Sequence, residues 1–115
     1  MSNPSKQRGT AAETAVVKWL NANGYPHAER RALAGSSDKG DVSGLPSTVV
    51  EVKSCKQHSL AQWVDELEAE IVNARALTGV VIAKRRGTTD PGAWYAIMPA
   101  KRWLDLYAEG DEVVS

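Results

Sequence analysis

The sequence is short of several things, and each shortage excludes something. Cys55 is the only cysteine among 115 residues, so no disulfide forms within the chain, which suits a reducing, cytoplasmic setting. No apolar run reaches the roughly 18 residues of a membrane-spanning helix, and the polar N-terminus does not read as a secretion signal. The two histidines, His27 and His58, are too isolated for a zinc site, and Cys55 lacks the base and acid of a nucleophilic centre. There is neither a Walker phosphate loop nor a dinucleotide fingerprint. Phenylalanine is absent, so Trp19, Trp63, Trp94 and Trp103 must supply much of the core's bulk. Packing is expected of all four rather than stacking on bases.

What remains is the composition of one globular domain, residues 1–115, large enough for a single core. The net charge is zero, which argues against a general nucleic-acid coat. The distribution is uneven. Residues 1–58 carry eight Lys/Arg against five Asp/Glu, and residues 59–115 carry six against nine. A basic half points weakly toward a polyanionic partner.

The periodicity predicts eight elements in the order α-β-β-β-α-β-β-α. A helix over 10–23 places Ala12, Ala15, Val16, Trp19 and Leu20 on one face and ends at Gly24. Strands follow at 27–33, 41–43 and 48–54, the last two forming a hairpin around Gly-Leu-Pro-Ser. A helix over 60–77 buries Leu60, Trp63, Val64, Leu67, Ile71 and Ala74, with Ser59 and Gln62 as a capping box. Strands at 79–84 and 93–98 flank a turn, and Pro99 opens a last helix to about Tyr107. The ends, 1–7 and 110–115, are expected to be loose. Together these predict an α/β fold, a mixed central sheet flanked by helices.

The stretch Gly40-Asp-Val-Ser-Gly-Leu-Pro-Ser-Thr-Val-Val-Glu-Val-Lys-Ser54 carries the chemistry. Side chains alternate along a strand, so Val50 and Val52 share one face while Val49, Glu51 and Lys53 share the other. A five-residue connection would place Asp41 across from Glu51, with Cβ atoms ~5 Å apart. Two carboxylates that close resist ionisation without a cation. Mg²⁺ takes oxygen ligands and is commonly held by one or two carboxylates. Lys53 beside them could orient water or stabilise phosphoryl charge. The plainer reading is an ion pair on an edge strand. Glu13 lies about 60° from Val16 on the first helix, on the flank facing the sheet, where an unpaired acid is costly. It needs either that metal site or a basic partner such as Arg31.

Arg8-Gly-Thr-Ala-Ala-Glu13, the segment Gly35-Ser-Ser-Asp-Lys-Gly-Asp41 and Val50-Glu-Val-Lys53, in this order, resemble the PD-(D/E)XK nuclease superfamily. More narrowly, they resemble its archaeal and phage-type Holliday junction resolvases, over about residues 8–98. The resemblance implies a restriction-endonuclease-like fold and Mg²⁺-dependent phosphodiester hydrolysis, with Mn²⁺ able to substitute. It also implies a homodimer acting on four-way DNA junctions in recombination and repair, in the cytoplasm or nucleoid of a cell or of a phage host. Asp41, Glu51 and the Val52 carbonyl would ligate the metal, Glu13 would support it, and Lys53 would be the catalytic lysine. Arg8, Arg31, Ser36, Ser37, Lys39 and Lys56 would contact DNA. Gly40 stands where the signature has proline, and the Gln-x-x-x-Tyr motif of related exonucleases is absent, since Glu66 follows Gln62 by four.

Rival readings are another nuclease of the superfamily, a junction-binding module without catalysis, and a plain interaction domain. Sequence-reading nucleases need elements to enter the major groove, for which this chain has little room. Lys84, Arg85 and Arg86 suit a phosphate contact or a solvated strand end equally. Asp65, Glu66, Glu68 and Glu70 crowd one helix, where a solvated or subunit-facing role is expected.

Overall fold

Strand β3, Thr48–Lys53, is the centre of the molecule. Its β-branched run favours the extended state, and it is flanked on both sides within a five-stranded sheet of order β1-β2-β3-β4-β5. The structure is a computed structural model that describes the backbone at 4–31 and 38–114, with side chains at 6–31 and 38–110. The other strands are β1 Glu29–Arg30, β2 Val42–Ser43, β4 Thr78–Ala83 and β5 Tyr95–Ile97. β3 and β4 run parallel, and every other neighbouring pair is antiparallel. Three helices complete the α/β fold: α1 Pro4–Ala22, α2 Leu60–Ala74 and α3 Ala100–Val114. No helix among the described residues is long and apolar enough to cross a membrane.

The element order is the expected one, while several boundaries and details differ. α1 begins at Pro4 rather than near residue 10, and α3 runs on to Val114 instead of stopping near Tyr107. β1 is a two-residue strand, far shorter than 27–33, of which residues 32 and 33 lie outside the described residues. α2 stops at Ala74 because Arg75 turns left-handed, at φ 53°. The capping box does not form: Ser59 makes no side-chain cap, and the Gln62 amide donates to Glu66 Oε1 at 2.9 Å instead.

The alternation of β3 divides the core in two. Val50 and Val52 join Ala12, Val16 and Leu20 of α1 on one face of the sheet. Val49 joins Val81, Trp63, Leu67 and Ile71 of the α2 layer on the other. Burying a side chain of this size is worth ~1.5–3 kcal/mol, so these two stripes dominate the adhesion of the layers. Gly79 lets α2 come close. A Cβ there would meet Leu67 Cδ1 at 2.9 Å and Ile71 Cδ1 at 3.0 Å.

Two apolar expectations fail. Leu60 is half exposed at the start of α2. Trp63 and Trp94 are buried and Trp19 packs at the edge of the α1 core. Trp103, however, is 59% exposed and joins neither core cluster. Leu104 and Tyr107 beside it are also exposed, so the helical period of its apolar residues reports an amphipathic surface and not a buried one.

Candidate metal centre

The site begins with the register of the hairpin. Val42 pairs with Val50, and the chain before it brings the Asp41 carboxylate within hydrogen-bonding reach of Glu51, the two acids the loop length predicts to meet. The strand ladder stops there. The Asp41 N–H donates to Val50 O at 2.9 Å, and its carboxylate takes over as acceptor, with Val52 N donating to Asp41 Oδ2 at 2.7 Å. The bond fixes the carboxylate beside β3. Gly40 makes the approach possible. Its φ is +97°, which a proline locked near −65° cannot adopt. Gly40 therefore suits this turn where the superfamily signature has proline.

Glu51 points to the α2 side and is only 5% exposed. There it meets Glu70, which is 4% exposed. Two residues of a strand advance ~6.6 Å and four residues of a helix ~6 Å. Glu70 and Glu66 on α2 therefore match Glu51 and Lys53 on β3. Lys53 Nζ donates to Glu66 Oε2 at 3.3 Å. Asp38 closes the group: one carboxylate oxygen each from Asp38, Glu51 and Glu70 lie within 4.8 Å of one another. Asp38 itself is held by Gly40 N donating to its Oδ1 and by Asn73 Nδ2 donating to its carbonyl.

The electrostatics follow from this crowding. Burial, with hydrogen bonds to Asp41 and Glu70 that need a proton, pushes Glu51 up to about 12. Burial also raises Glu70, while its bond from Glu51 works in the opposite direction. Both acids are raised, and without a metal the pair shares a proton at neutral pH. Glu70 Oε2 is buried and has no hydrogen-bond partner among the described residues. Two facing acceptors require either a proton or a cation between them. Burial lowers Lys53, but Glu51 and Glu66 outweigh it and the net shift is upward. Glu66 makes the direct ion pair with Lys53, at 3.3 Å.

Glu13 stands on the other side of the sheet, where α1 packs. Burial and the Asp41 carboxylate raise it, and Arg30 opposes them. Its basic partner is Arg30, at 3.6 Å, and not the expected Arg31. Arg31, Lys39 and Lys56 are exposed, and Arg31 N donates to Asp41 O at 2.8 Å. Arg8 is exposed on α1, whereas Ser36 and Ser37 lie outside the described residues.

Sequence reasoning missed Asp38, Glu66 and Glu70. The acidic helix is not simply solvated: Glu70 is in the core, Glu66 holds Lys53, and Glu68 Oε2 accepts from Arg102 Nε at 2.7 Å. A signal for Glu70 was present. It sits between Leu67 and Ile71, seven residues after Trp63, squarely on the apolar stripe of α2. An unpaired acid is costlier there than at Glu13, because Glu70 is the more deeply buried of the two. Comparison with protein-family models, curated proteins and solved structures finds no match to this chain.

Proposed function

We propose that this chain is a divalent-metal-dependent DNA endonuclease of restriction-endonuclease-like fold, acting as a homodimer on four-way junctions. The observation that carries the reading is the buried Glu51–Glu70 pair, with Asp38 beside it, Asp41 hydrogen-bonded into β3, and Lys53 two residues further along the same strand face. The donor set is all carboxylate oxygen, which fits Mg²⁺ or Mn²⁺ and does not fit zinc. The orphaned Glu70 oxygen gives a cation a reason to enter. Asp41 and Glu51 would hold it, with Asp38 and Glu70 completing or tuning the site.

A bound cation supplies charge stabilisation to phosphoryl oxygens. The chain's own residues do the rest. Asp41 stays oriented through the Val52 N–H. Lys53, partly exposed and held by Glu66, places a positive charge beside the acids, where it can orient water or steady a phosphate. Lys39, Arg8, Arg31 and Lys56 are accessible to backbone phosphates. A two-fold dimer supplies two such sites in fixed relation, as symmetric junction cutting requires.

The test is cleavage of four-way junction, duplex and single-stranded DNA, each with Mg²⁺, Mn²⁺ or EDTA. Metal-dependent cutting of the junction above the other two substrates is expected. Junction binding without cutting would leave a non-catalytic binding module, and cutting in EDTA would remove the metal from the reading.

A further inference from the structure

α3 is the element whose apolar residues have nowhere to go within one chain. Trp103, Leu104, Leu106 and Tyr107 are 59%, 56%, 42% and 62% exposed. Trp103 and Tyr107 stack on each other, with ring centroids 5.9 Å apart. None of the four belongs to either core cluster. The side-chain attachments of α3 to the body, among the described residues, are both made by Arg102: to Glu68 Oε2 at 2.7 Å and to the Leu77 carbonyl at 3.2 Å. A helix of 15 residues is marginal in water when its apolar face is left bare. Such a helix needs a cover.

We infer that the cover is the α3 helix of a second copy of this chain, packed antiparallel about a two-fold axis. Charge selects this occupant. Among the described side chains of α3, Lys101 is exposed in the first turn, Arg102 is taken up by Glu68, and Asp105 and Glu109 are exposed further along. An antiparallel pair brings Lys101 of one helix toward Glu109 of the other and also opposes the two helix dipoles. A parallel pair would set acid against acid. With as many acids as bases among its described side chains, α3 is also a poor match for an anionic lipid surface, which selects Lys/Arg-rich polar faces. The area is sufficient. Aromatic side chains bury ~150–250 Å² each, so the four exposed residues offer on the order of 500 Å² per copy. Two copies then approach the ~1,000 Å² a specific interface needs.

The inference rests on the homodimer part of the proposed function and not on its chemistry. It is therefore tested without DNA or metal. Sedimentation velocity of the full chain in EDTA, across the micromolar range, should show a reversible monomer–dimer equilibrium. Trp103→Glu and Tyr107→Glu should each abolish the dimer, with thermal melting of the body preserved because neither residue is in the core. Trp103→Phe should keep it. A wild-type chain that stays monomeric at every concentration overturns the inference, as does a dimer that survives both Glu substitutions. A monomer that instead sediments with anionic vesicles would assign the face to a membrane and overturn it equally. Loss of nuclease activity elsewhere in the molecule leaves these readouts unchanged.

Discussion

Glu51→Gln in the metal-free protein is the sharpest test of the buried acids. Glu51 is pushed up from 4.5 to about 12, so in the folded chain it is a neutral acid at neutral pH. In the unfolded chain it ionises near 4.5. The stabilising effect of the protonated form is therefore complete below that value and is lost as pH rises toward the folded one. Each pH unit in between costs up to about 1.4 kcal/mol. At pH 7 the accumulated cost is at most about 3.5 kcal/mol for Glu51, and sharing with Glu70 reduces it. Glutamine is also neutral, keeps a donor toward Asp41 and Glu70, and does not ionise on unfolding. Glu51→Gln should then stabilise the metal-free protein at pH 7 and flatten its stability from pH 5 to pH 8. Urea unfolding in EDTA at several pH values measures both. With Mg²⁺ present the order should reverse, because only the wild type gains from binding. A variant less stable than wild type in EDTA at every pH, by a constant amount, would refute the shared proton.

Three further outcomes are expected. Glu70→Gln should fold and yet weaken Mg²⁺ binding, seen as a smaller Mg²⁺-induced rise in melting temperature; an unchanged rise would place the cation away from α2. Lys53→Ala should lower single-turnover junction cleavage by ~10² or more while costing ~0–1 kcal/mol of stability, as measured by cleavage beside a thermal melt. Gly40→Pro should destabilise the fold by ~1–3 kcal/mol or more, because it forces a φ of +97° into a ring that excludes it; a melting temperature equal to wild type would contradict the turn geometry.

The strand alternation made the central hairpin and the Asp41–Glu51 facing legible, because period-two burial and a short loop leave one register that keeps Val50 and Val52 inside. The helical stripe of α2 was equally clear. The partners of Glu51 were not, because the contact between β3 and α2 depends on how the crossover lands, and sequence spacing does not give that. Glu70 was discounted as one of four nearby acids, although its place on the stripe separates it from Asp65. Trp103 failed for the converse reason. An amphipathic helix reads the same whether its apolar face meets its own core or is left bare.

The division of the core into an α1 layer and an α2 layer has a consequence for motion. The carboxylates of β3 and α2 meet only while α2 is docked, so any local opening that lifts α2 separates Glu70 from Glu51. A cation bound between them would act as a latch on that opening alone. Amide hydrogen exchange in α2 should slow on adding Mg²⁺, whereas exchange in α1, whose apolar contacts lie on the opposite face of the sheet, should hardly change. The sheet thus separates a helix whose breathing is set by ligand from one whose breathing is set by packing.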